Sequence, residues 1–112
     1  MTKEEYTLSK VKVHAGICGF ISNIKVNKTD GKNAKVKITS ACGMIKDLSS
    51  EMTEINWIKS ITREMADSEV YKITDKYITH AACPVPSAIL KAVEVEFGLA
   101  LPKDVTMKIE KD

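Results

Sequence analysis

Residues 9–41 read "SKVKVHAGICGFISNIKVNKTDGKNAKVKITSA", and apolar and polar side chains alternate in three separate runs of that stretch. In the first run Val11, Val13 and Ala15 face one way, and Lys10, Lys12 and His14 the other. Successive side chains of a strand point to opposite faces, so this alternation marks a strand with one face buried. The second run, "FISNIKVNK", turns Ile24 and Val26 inward. The third, "AKVKITSA", turns Ala34, Val36 and Ile38 inward and Lys35 and Lys37 outward. Between them, Asp30-Gly31 in "TDGKN" suits a hairpin turn that needs a positive φ. Three antiparallel strands in a meander follow from these runs.

Beyond residue 41 the period changes. Met44, Ile45, Leu48, Met52 and Ile55 form one stripe of an amphipathic helix. Asn56 is suited to cap a second helical stretch carrying Trp57, Ile58, Ile61 and Met65. Val70, Ile73 and Tyr77 fit a further helix within residues 67–79. The last helix is expected to start at Cys83, with Pro84 at its first position, where a missing N–H costs nothing. Its apolar stripe is Val85, Ile89, Ala92, Val93 and Phe97, and Gly98 is its expected stop. After Pro102, "VTMKI" alternates Val105, Met107 and Ile109 and reads as a closing strand. The expected class is therefore α+β. A small, mainly antiparallel sheet, made of the N-terminal meander and the C-terminal strand, carries helices packed on one face.

The chain of 112 residues is expected to form a single domain, 1–112, large enough to bury a core without disulfides or a structural metal. Hydrophobic residues at 44% and charged residues at 29% are ordinary for a globular protein. No apolar run is long enough for a membrane span. The opening "MTKEEYTLSK" has no apolar segment of the signal-peptide kind, so the expected location is cytoplasmic. A net charge of +2 and a single arginine, Arg63, argue against nucleic acid as partner. Residues 1–37 nevertheless hold eight lysines. Lysine on exposed strand faces blocks edge pairing; the functional alternative is a docking surface for an acidic partner.

Three cysteines in such a chain do not read as a disulfide framework. None lies in the middle of an apolar stripe. Cys18 precedes the second strand and Cys42 follows the third, so hairpin geometry brings them to one end of the sheet. Glycine follows each of these two, which permits a sharp turn or close approach to a bound group. Cys42 and Cys83 precede helices, whose free N–H groups are expected to lower a thiol pKa. Three thiolates fill three positions on a tetrahedral metal, or three of the four that an iron–sulfur cluster takes. His80 is the preferred fourth ligand, with His14 the other candidate. Two alternatives stand beside a metal scaffold: a sulfur carrier with a persulfide on Cys83, and a binding module whose cysteines are small core residues. A Cys–His nucleophile pair lacks a nameable third group to orient it, which disfavours a hydrolase.

The succession "GICGFISNIKV", "ITSACGMIKDLSSEM" and "HAACPVPSAILKAV" resembles the IscU and NifU N-terminal iron–sulfur scaffold family over roughly residues 8–97. The resemblance implies that Cys18, Cys42 and Cys83 hold a nascent iron–sulfur cluster or a zinc ion. It also implies a cysteine desulfurase, or another sulfur or cluster protein, as partner. Phe20 stands where the family has an aspartate. Ala82 stands where a histidine precedes the third cysteine, with His80 displaced. "CPVP", residues 83–86, is similar to the CPxP motif of TusA-type sulfur carriers, which implies a persulfide on Cys83.

Overall fold

The computed structural model describes residues 8–112. Strands β1 (Ser9–His14), β2 (Ile21–Lys28) and β3 (Asn33–Ser40) form the expected meander. Helix α1 (Gly43–Glu51) leads into a short fourth strand, β4 (Glu54–Asn56). Then come α2 (Trp57–Ile61), a single 3₁₀ turn (Met65–Asp67), α3 (Glu69–Asp75) and α4 (Val85–Glu96). The sheet order is β1-β2-β3-β4, antiparallel throughout. The helices are packed on one face, with α4 over β1 and β2 and α1 over β3.

The alternation in the meander explains the core. Val13, Ile24, Val26, Ala34, Val36 and Ile38 are buried from the sheet side. Leu48, Met52, Val70, Val85, Ile89, Ala92 and Val93 meet them from the helical side. Asn56 caps α2 as expected, its side-chain oxygen accepting from the N–H groups of Ile58 and Lys59. Gly98 stops α4 at φ +70°, where its N–H donates to Val95 O and that of Leu99 to Glu94 O.

Several expectations are corrected. The fourth strand is β4, not residues 105–109. Ile55 continues the apolar spacing of α1, but the helix has already ended, and Ile55 sits opposite Ala34 in the sheet. Residues 105–109 belong to no sheet, and Val105, Met107 and Ile109 are exposed. Alternation prescribes an extended chain but does not say which edge it will join. Gly31 has no positive φ. The turn is closed instead by Asp30 Oδ1, which accepts from the N–H groups of Lys32 and Asn33. Those bonds also hold the Asp30 carboxyl below the usual carboxylate range. Met65 is exposed in the 3₁₀ turn rather than part of a helical stripe. Helix α4 starts at Val85, with Pro84 as its cap and Cys83 one residue farther out.

One contact orients the longest helix. Glu96 is 8% exposed. It accepts from Ser9 Oγ at 2.8 Å and from the Lys28 N–H at 2.8 Å. The last turn of α4 is thereby tied to the start of β1 and the end of β2. Its first turn points to the opposite end of the sheet, where β1 ends and β2 begins. Among the described residues no helix is long and apolar enough to cross a membrane.

Candidate functional site

The pole at which α4 begins is where the three cysteines lie. Cys18 sits in the turn that joins β1 to β2. The Gly19 N–H donates to Gly16 O at 2.9 Å, and the Ala15 N–H to Phe20 O at 3.1 Å. Gly16 (φ 88°) and Gly19 (φ 74°) take the left-handed conformation that this turn needs. The turn lifts Cys18 into solvent beside exposed Ile17, Phe20 and Ile21.

Cys42 caps α1 and is half-buried. Its N–H donates to Ser40 Oγ at 3.1 Å, and Ser40 Oγ in turn accepts from Ser22 Oγ at 3.0 Å. Ser22 and Ser40 are direct partners across β2 and β3, so the sheet register seats Cys42. Gly43 opens α1 without a positive φ, so the sharp-turn reading holds for Gly19 and not for Gly43.

Cys83 is half-buried just ahead of α4 and receives a backbone hydrogen bond from Val85. Its own N–H meets His80 O at 3.4 Å, closing a turn over residues 80–83 that keeps exposed His80 beside it. Thr79 Oγ1 contacts Met44 Sδ at 3.5 Å, which joins the segment before Cys83 to the first turn of α1.

The electrostatics of Cys83 run against the expected titration. Burial pushes the Cys83 thiol above its ordinary value, and the Val85 N–H opposes this only in part. The charges of Cys42 and Cys18 push it further up. A helix N-terminus alone would have lowered it, but desolvation and two neighbouring thiols outweigh the amide groups. Cys83 thus feels both other cysteines. Among the described residues, however, no three His, Cys, Asp or Glu side chains stand in metal-ligating geometry. Cys42 and Cys83 also pack against the hydrophobic core, whereas Cys18 does not.

Ser22 and Ser40 are the positioning residues that the sequence did not reveal. A signal was present, since Ser22 occupies an inward register position shared with Ile24 and Val26. A cleft between α2, α3 and α4, lined by Ser60, Arg63, Tyr71, Leu90 and Glu94, contains none of the cysteines.

Lys10, Lys12, Lys25, Lys35 and Lys37 share the sheet face that the helices leave open. Lys10 is directly opposite Lys25, and Lys25 directly opposite Lys37, so three like charges stand in one cross-strand row. Lys12 and Lys35 flank the row, and Glu54 stands opposite Lys35.

No curated protein and no solved structure matches the chain. A model for a family of unknown function (DUF6951) matches residues 9–109, and the chain belongs to that family.

Proposed function

We propose that the protein is a metal or iron–sulfur cluster scaffold whose ligands are Cys18, Cys42 and Cys83, with His80 as the fourth donor. What supports this reading is topology: Cys18 before β2, Cys42 after β3 and Cys83 ahead of α4 come to one pole of the sheet, within electrostatic reach of one another at Cys83. The Cys83 thiol, held up by burial and then by its two neighbours, resists ionising beside them, and a soft cation removes that resistance by binding the thiolate. The donor chemistry fits zinc or an iron–sulfur cluster. Bound there, the metal supplies the positive charge that three thiolates require.

Each residue has its own part. The Ser22–Ser40 pair fixes Cys42. The Val85 N–H and the turn from His80 orient Cys83. Cys18 is the accessible thiol, and closing the ligand set requires its turn to fold inward over the other two. Exposed Ile17, Phe20 and Ile21 rim that turn, which suits delivery by a protein donor such as a cysteine desulfurase.

The alternative is a sulfur carrier with a persulfide on Cys83, and the raised thiol bears on both readings alike, because each works through the thiolate. Metal analysis and an absorbance spectrum of anaerobically purified protein test the scaffold reading. The expected result is bound iron or zinc that is lost in Cys42→Ala. Metal content unchanged by that substitution would overturn the proposal. A persulfide mass increment on Cys83, without stoichiometric metal, would establish the carrier instead.

A further inference from the structure

We infer that residues 104–109 form a fifth strand on the open edge of β1 in a second copy of the chain. This inference is independent of the thiol site.

The segment has the pattern of a strand and lacks a partner. Val105, Met107 and Ile109 alternate with Asp104, Thr106 and Lys108, and the chain from Leu99 onward lies outside every described element. Leu99, Leu101, Val105, Met107 and Ile109 are all exposed, at 48%, 88%, 64%, 74% and 91%. Five large apolar side chains in one exposed run are what a contact surface shows, not an ordinary monomer surface.

The sheet has the matching vacancy. β1 is an outer strand, and among the described residues it pairs only with β2. Half of its N–H and C=O groups therefore point sideways, as a template for another strand. β1 runs for six residues, Ser9–His14, the same length as 104–109. Lys10 and Lys12 project onto the open face, where they disfavour a strand without a carboxylate; the Asp104 side of the segment supplies one.

Side chains on both faces complement the added strand. On the helical side, Val11 is only partly buried at the edge of the core. Phe97, the residue that ends α4, packs its ring at a tilt against Trp57, and Leu90 and Glu94 face the cleft beside α2 and α3. Helical geometry then puts half-buried Val95 on the opposite flank, above the free side of β1. A strand turning Val105, Met107 and Ile109 toward the helices covers Val11 and Val95. On the open face it presents Asp104, Thr106 and Lys108, the last paired with Glu110 at 2.9 Å, so that Asp104 is the carboxylate free to meet the β1 surface of Lys10, Lys12 and His14.

A second copy is the occupant that these features specify, since each chain offers both the segment and the edge. Reciprocal exchange closes a two-fold dimer. A standard stable interface buries about 1,200–2,000 Å², and both segments and both strand edges would contribute to it.

Sedimentation velocity of the full chain over a wide concentration range, with amide hydrogen exchange, tests the inference. The expected result is a dimer in which β1 and 104–109 are protected together. Met107→Asp and Ile109→Asp should each give a monomer with unchanged far-ultraviolet circular dichroism, because neither side chain supports the monomer core. Thr106→Asp, on the opposite face of the strand, should remain dimeric. A monomeric wild type overturns the inference. If its segment is protected, the strand pairs within its own chain; if it exchanges freely, the strand pairs with nothing. A dimer that survives both aspartate variants overturns it as well.

Discussion

Replacing Glu96 by alanine removes the tie between the two ends of the fold. In the native state the Glu96 carboxylate accepts from Ser9 Oγ and from the Lys28 N–H, each at 2.8 Å. A hydrogen bond to a charged acceptor contributes about 1.5–3 kcal/mol net. Both donors are only partly buried, so water recovers some of that in the variant, and the expected cost for the pair is about 2–3 kcal/mol. Against a total stability of about 5–15 kcal/mol this is a large fraction. At about 4–8 °C per kcal/mol, the melting temperature should fall by roughly 10–20 °C. Glu96→Gln keeps the volume and one acceptor oxygen, and the Ser9 hydroxyl can rotate to accept from the amide. It should cost about 1 kcal/mol. Urea denaturation should show the midpoint shift at an unchanged slope. Alkylation supplies a second readout. Loss of the anchor raises the population in which α4 opens, so Cys83 should react faster while already exposed Cys18 does not. Variants Glu96→Ala and Glu96→Gln that both stay within about 0.5 kcal/mol of the wild type, the range of ordinary surface substitutions, would refute the tie.

Three further outcomes concern the pole and the open face. The Cys83 thiol is raised by burial and then by its neighbours, so on titration the unfolded chain ionises before the folded one. Stability from this source is complete below the ordinary thiol pKa and is lost as pH climbs through the raised folded value; urea midpoints across that range should decline, and Cys83→Ser should flatten the decline. Cys18→Ser should leave the melting temperature unchanged, since the side chain packs on nothing, yet abolish metal binding; retained metal would remove Cys18 from the ligand set. Because Lys25 stands between Lys10 and Lys37, added salt should stabilise the wild type more than Lys25→Ala, and an equal response in thermal melts would show that the row carries no repulsion.

Local periodicity carried the meander. Val11, Val13, Ile24, Val26, Val36 and Ile38 alternate with polar residues, and a one-residue slip would expose every one of them. The Asn56 cap and the Gly98 stop were legible for the same reason, since each is a property of a few adjacent residues. β4 was not legible. Three residues contain too little alternation to register, and Ile55 lies at a spacing from Met52 that suits a helix equally well. Only the pairing of the Val36 N–H with Thr53 O and of Ile55 with Ala34 reveals the strand. At the site, the shared end of Cys18 and Cys42 follows from hairpin logic alone. The place of Cys83 does not. It depends on Glu96 reaching Ser9, 87 residues away in the chain. The direction of its titration needed the same information, because the desolvating side chains and the other two thiols come from distant segments.

The three thiols are unequal in what packing explains, and that inequality bears on function. Cys42 and Cys83 touch the hydrophobic core, and a small apolar residue at either place would serve the fold about as well. Their burial and the raised Cys83 thiol are also what inert core cysteines show. Cys18 has no such account. It lies on a turn whose two left-handed glycines carry the backbone out into solvent, and it contributes nothing to the core. An exposed thiol is chemically costly to keep, since it invites oxidation and unwanted disulfides. Yet its charge is felt at Cys83, which puts the turn at the same pole as the two half-buried sulfurs. A fold that needed only apolar filling would have no use for a sulfur in that position. The scaffold proposed above, which first meets its metal or sulfur donor at the surface and then closes over it, would use one accessible thiol and two sheltered ones.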